Sequence, residues 1–224
     1  MKQSVVPRAL VAAGFCAAVL GLTASLSACV PLVMGGAAAG TAMVATDRRT
    51  SGAQLEDEGI ELRVLSRIRS DVGTRVRVSV VSYNRQVLLT GEVASDKDKQ
   101  AVEKIAGKVE NVGSVVNALA VMSTPSLADR SADLLITGRL KAAILDASDL
   151  ESNAIKVVTE HNVVYLMGRV TRREADRVTN IARTISGVQR VVRVFEDISE
   201  EELRRLRPAK SEPAPAPAPA KPKA

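Results

Sequence analysis

The chain has 224 residues, with 31 Lys and Arg against 25 Asp and Glu, a formal charge of +6. Trp is absent, and there are two Phe, two Tyr, one His and two Cys. That poverty excludes a Cys/His zinc site, leaves His161 as the sole His partner for nucleophilic catalysis, and denies single-stranded nucleic acid its stacking rings.

The binding or structural protein that remains opens on a targeting segment. Lys2 and Arg8 give a positive start, Ala9 to Leu26 carries no charge, and Ser27, Ala28 and Cys29 follow. This is the layout of a bacterial secretory signal over 1–28. Leu26-Ser27-Ala28-Cys29 resembles a lipobox, which implies cleavage before Cys29 and a thiol carrying diacylglycerol, with palmitate-type acylation. An ordinary signal cleaved after an Ala-x-Ala-like site and an uncleaved anchor are the other readings; the Cys at the end of the apolar run favours the lipobox. Val30 in place of Asp after the Cys implies, by the same resemblance, the outer membrane. With Cys16 removed and Cys29 acylated, no thiol would be left for a disulfide.

Without the signal the balance is 29 basic to 25 acidic residues, or +4. Residues 204–224 alone carry +5, so 29–203 amounts to −1. The basic character lies in the tail and not on a folded face, and a nucleic-acid partner is discarded. Residues 29–54 read as a lipidated Gly/Ala-rich spacer whose Gly36-x-x-x-Gly40 is a weak signal by itself.

Between spacer and tail the sequence repeats. Gln86-Val87-Leu88-Leu89-Thr90-Gly91-Glu92-Val93 aligns with Val163-Val164-Tyr165-Leu166-Met167-Gly168-Arg169-Val170. Ile105, Val109, Val112, Val115 and Val116 align with Ile181, Ile185, Val188, Val191 and Val192, and Ile60, Val64 and Ile68 with Ile136, Leu140 and Ile144. The units run 55–121 and 132–198, joined by a polar connection at 122–131. Each is too small to bury much more than about 60% of its unfolded surface, so an interface between the copies is expected.

In chain order each unit reads helix, strand, strand, helix, strand. Ile60, Val64 and Ile68 recur every four residues, as do Ile136, Leu140 and Ile144, beside Ala143. Val76, Val78 and Val80 alternate with polar residues, and Ile155, Val157 and Thr159 do so in the second copy. Asn84-Arg85 and His161-Asn162 sit at hairpin turns. Ser95 caps one second helix, and Thr171-Arg172-Arg173-Glu174 has capping-box spacing for the other. Asn111 and Gly187 are expected to end those helices, with Val-rich strands beyond. The right-handed crossover joins parallel neighbours. The expected class is α+β: two tandem α-β-β-α-β units, each a three-stranded mixed sheet covered on one face by two helices. Residues 199–224 should hold a short exposed charged helix and a disordered Pro/Ala/Lys tail.

The V-x-L-x-G-x-V pattern, a capped amphipathic helix and a Gly-V-x-x-V-V strand together resemble the BON domain, in two copies covering about 134 residues. With the lipobox and Ala45-Thr46-Asp47-Arg48-Arg49, the chain is similar to the dual-BON outer-membrane lipoproteins. The resemblance implies a periplasm-facing outer-membrane lipoprotein that binds anionic phospholipid through the first helix of the second BON domain and supports envelope integrity. A periplasmic protein adaptor for outer-membrane assembly or division machinery is the alternative.

The residues of that helix add their own hint. Ile136, Leu140 and Ile144 already supply a core face, whereas Leu134, Leu135, Gly138, Ala142 and Leu145 lie off it beside Arg139 and Lys141. Leucines flanked by cations suit an anionic interface; they equally suit packing against the first copy or the linker. His161, Asp96, Asp98 and Glu200-Glu201-Glu202 read as turn, cap and helix-start residues. No catalytic group, metal or cofactor is expected.

Overall fold

The computed structural model describes residues 47–73, 76–122 and 127–206. The signal segment, Cys29 and the Pro/Ala/Lys tail lie outside the described residues. Helix α1 spans Ser51–Asp71, starting where the Thr50 side chain accepts from the Ala53 amide. Strands β1 (Val76–Tyr83) and β2 (Gln86–Val93), helix α2 (Asp96–Ala106) and the short strands β3 (Ser114–Asn117) and β4 (Ala120–Val121) complete the first unit. The second comprises α3 (Leu127–Asp146), a 3-10 turn at Ser152–Ala154, β5 (Lys156–Glu160), β6 (Val163–Val170), α4 (Arg172–Thr184) and β7 (Arg190–Asp197). Helix α5 (Glu200–Leu206) follows.

In each unit an antiparallel hairpin pairs its second strand in parallel with the strand returning from the second helix. The fold is the expected one, with one addition. The first unit's last strand breaks at Ala118-Leu119 and resumes as β4, a fourth strand also paired with β2. The Asn117 side chain accepts from the Leu119 amide at 3.2 Å, stabilising the break, and Leu119 enters the core instead of the ladder.

The hairpins turn on pairs of residues with positive φ, Asn84-Arg85 and His161-Asn162, the type I′ geometry that matches strand twist. Ser95 and Thr171 are the N-caps of α2 and α4, and the Thr171/Glu174 capping box is complete. These helices end at Ala106 and Thr184; Asn111 and Gly187 act a turn later, at positive φ in the loops to β3 and β7.

Alternation along the strands divides the apolar side chains among three cores. Val80, Val87, Leu89 and Val93 face Ile60, Val64 and Ile68 of α1 and Val102 and Ala106 of α2. Val157, Val164, Leu166 and Val170 face Ile136, Leu140 and Ile144 of α3 and Val178 and Ala182 of α4. The opposite faces meet: Tyr83 and Leu88 pack with Tyr165, Met167 and Val194. The layers therefore run α1/α2, first sheet, second sheet, α3/α4, and the expected interface is sheet against sheet.

Gly91 and Gly168 stand at the same place in the repeat for a steric reason. A Cβ on Gly91, at φ +111°, would lie 2.1 Å from the Arg77 carbonyl oxygen, and one on Gly168 would lie 2.4 Å from that of Ala154. The backbones come together at contacts that no side chain fits. Gly168→Ala should cost about 1–3 kcal/mol in urea unfolding, with the circular dichroism of the folded state unchanged.

Candidate functional site

The outer face of α3 is uncovered. Leu134, Leu135 and Leu145 are 73, 59 and 72% exposed, and Gly138, Arg139, Lys141 and Ala142 are exposed with them. At 3.6 residues per turn these seven positions fall in one arc of about 160°, which the exposed Ser131 and Asp146 share. Leu134, Leu145, Gly138, Ala142 and Leu135 form its middle, with Lys141 at one border and Arg139 at the other. Neither cation forms an ion pair among the described residues, and a Cβ added to Gly138 would meet nothing within 4 Å. Since Ile136, Leu140 and Ile144 are 0–2% exposed, α3 is apolar on both sides while only one side is packed. An ordinary surface helix is polar on its outer side.

The matching arc of α1 differs. Glu58, Gly59 and Arg69 replace Leu134, Leu135 and Leu145, and Arg63 is paired to Glu56 at 2.6 Å. Leu55 and Leu62 are about 70% exposed there, among charged neighbours. No described helix is long and apolar enough to cross a membrane.

Polar side chains hold this surface in place, several at positions the sequence did not single out. Asp57 of α1 is 2% exposed and accepts from the Ser82 hydroxyl, the Asn84 and Arg85 amides and the Arg49 guanidinium, all within 2.7–2.8 Å. Asp133 of α3 clamps the second hairpin likewise, through the His161 and Asn162 amides at 2.9 and 2.8 Å. An acidic residue on the core-facing line of a helix, recurring at the repeat spacing, was the available signal. Burial pushes the Asp57 carboxyl up, but these donors outweigh it and hold the group below the usual range.

The residues leading into α1 join the two units. Arg48 makes a bidentate pair with Glu174 at 2.7 and 2.9 Å and donates to the Arg169 carbonyl at 2.7 Å. Their side chains are 5% and 1% exposed. Its neighbour Arg49 instead serves the first unit, pairing with Asp57 and lying 4.2 Å from the Tyr83 ring centroid. Glu174 is thus both the capping-box residue of α4 and the socket for Arg48. Burial again pushes its carboxyl up, and Arg48 with Thr171 holds it below the ordinary value.

On the rim, His161 does more than turn the chain. Its Nε2 lies 2.8 Å from Glu92 across the seam, and Arg77 bridges Glu92 and Glu160. Glu92, Glu160 and His161 are the one group of metal-ligand types among the described residues, with ligand atoms within 4.8 Å. Arg77 already supplies the positive charge between the carboxylates, so the cluster reads as an interdomain ion-pair network. Helix α5, expected to be exposed, is docked: Leu203 is buried and Arg169 binds both Glu196 and Glu202.

The BON domain model matches residues 56–123 and 132–196. The chain belongs to the BON domain family. It is 38% identical over 181 residues to the outer membrane lipoprotein DolP of Haemophilus influenzae, covering 80% of this chain and 93% of that one. It is 30% identical to the 21 kDa hemolysin of Actinobacillus pleuropneumoniae, covering 66% and 78% of the two chains. Similarity to the osmotically-inducible protein Y of Escherichia coli, 32% over 117 residues, covers 51% and 58%. Two BON domains and the likeness to DolP over most of both chains make this a dual-BON protein of the outer-membrane lipoprotein type.

Two predictions follow from the polar framework of these BON domains. Arg48→Ala strands a buried Glu174 and should cost about 3–5 kcal/mol of unfolding free energy in urea. Asp57, Glu92 and Glu174 are each held below their unfolded values. Their contribution is complete above the unfolded carboxylate range of about 4 and is lost as pH falls through the folded values. Stability should therefore decline below about pH 5, with a shallower slope in Glu174→Gln.

Proposed function

We propose that this chain is a non-enzymatic lipoprotein, held by acyl chains on Cys29 in the outer membrane and facing the periplasm, which binds anionic phospholipid through α3 and so supports envelope integrity. The observation that carries the reading is the exposed arc in which three leucines lie between two cations, Arg139 and Lys141, that form no ion pair among the described residues. Each leucine that enters the acyl boundary would contribute roughly 1.5–3 kcal/mol, and each cation at an anionic surface about 1 kcal/mol. A helix lying in the interface plane needs this composition, with apolar residues central and basic residues at the borders. Acylation at Cys29 would supply durable attachment, leaving α3 to select the headgroup and to orient the folded unit. The name of the Haemophilus relative, an outer membrane lipoprotein, supports the location.

A second reading, a periplasmic adaptor for an assembly or division protein, draws on Leu55 and Leu62, exposed on the opposite helical layer. Flotation separates the two. The compact unit 45–224 should float with vesicles of phosphatidylglycerol or cardiolipin and not with pure phosphatidylcholine. Leu135→Glu should abolish flotation while leaving the circular dichroism native. Unchanged flotation of that variant would remove the lipid role of α3, and no flotation of the parent would favour the adaptor.

A further inference from the structure

The first BON domain has a cleft that the lipid reading does not use. It lies between the end of α1 and the length of α2, with a volume of about 460 Å³, inside the range of roughly 300–1,000 Å³ typical of small-molecule sites. Arg67, Lys97, Lys104 and Lys108 line it, all exposed and none in an ion pair among the described residues. Two carboxylates, Asp71 and Asp98, share the wall. The floor is apolar: Val72 is buried and Ala101 and Ile105 are half-buried.

We propose that this cleft binds a phosphate ester of a polyol, the chemistry common to a glycerophospholipid headgroup and to a soluble glycerol phosphate. Four cations around one concavity focus a field that concentrates anions. Three of them are lysines, which take phosphate as compact point charges. The Arg67 Nη1 is held at 3.1 Å by the Lys108 carbonyl oxygen. This fixes the guanidinium and leaves its other edge able to offer two parallel donors to an oxyanion. A bare anion would gain nothing from Asp71 and Asp98. Hydroxyl groups would: the Asp71 carboxylate, which accepts from the Ser70 hydroxyl at 2.8 Å, has further acceptor positions. The apolar floor suits the methylene and methine groups of a glycerol unit. The ligand that satisfies all three features is negative at one end, hydroxylated, and carbon-backed between. The cleft belongs to the α1/α2 layer, opposite α3, so the inference does not rest on the lipid-facing arc, and both surfaces can be occupied together.

The test is calorimetric titration of the unit 45–224, which contains all three cores, with glycerol 3-phosphate and, separately, with dihexanoylphosphatidylglycerol below its micelle concentration. Dihexanoylphosphatidylcholine is the neutral control. At least one anionic probe should bind saturably. Binding of both at similar affinity assigns the soluble source, and binding of the lipid alone assigns the headgroup; either supports the cleft. The double variant Lys104→Glu/Lys108→Glu, at exposed positions, should weaken binding about tenfold or more with its circular dichroism unchanged. Absence of saturable binding by both anionic probes, equal binding of phosphatidylcholine, or undiminished binding in the double variant would each overturn the proposal.

Discussion

The contact between the two sheets sets the rest of the structure. Each BON unit covers one side of its sheet with helices, which leaves an apolar second side that a unit of this size cannot leave in water. Tyr83 and Leu88 meet Tyr165, Met167 and Val194 there, and both sheets become two-sided interiors. Strand parity makes the arrangement rigid in its consequences. A slip of one residue in either ladder would exchange the helix-facing and sheet-facing sets. With the sheet faces committed to each other, the surfaces left for partners are the outer sides of the helices. The leucines of α3 are on the far side of their helix from this seam.

Polar groups around the seam give the contact a single register. Arg48 reaches Glu174 in the second unit while Arg49 reaches Asp57 in the first, so two consecutive cations pin the entering chain across both. Arg77 and His161 gather Glu92 and Glu160, and Asn84 donates to Glu196. Buried ion pairs add little net stability compared with an apolar pair, and their value lies in the cost of breaking them. A framework of this kind keeps the two outer helical layers in a fixed mutual orientation.

Much of this was legible in the sequence. Period-four apolar residues located α1 and α3, and alternation located β1. The Ser95 and Thr171 caps marked the starts of α2 and α4, and the 76–77-residue repeat implied two copies of one fold. The unbroken apolar run from Val163 to Met167 also carried the sheet-on-sheet contact, since a strand buried on both faces does not alternate. What escaped was set by distance in the chain. Arg48 and Glu174 are 126 residues apart and Asn84 and Glu196 are 112 apart, and no local pattern couples such pairs. The break at Ala118-Leu119 depends on one side chain, Asn117, bonding to backbone two residues on. Helix α5 looked like a solvated charged segment because its one packed residue, Leu203, has no apolar neighbour at helical spacing before Leu206.

The seven positions of α3 were recognisable from composition, but only the fold shows that they share one arc facing outward. On the proposed lipid reading, membrane association is directional: the α3 layer should enter the bilayer boundary and the α1 layer should stay in water. The unit 45–224 contains no cysteine, so single spin labels can be introduced without background at 135 and 145 on α3 and at 55 and 62 on α1. Power-saturation electron paramagnetic resonance on phosphatidylglycerol vesicles then reads depth at each site. The account predicts high oxygen and low nickel-chelate accessibility at 135 and 145, and the aqueous pattern at 55 and 62. The reverse pattern, or water-like values at all four positions on vesicle-bound protein, would contradict it.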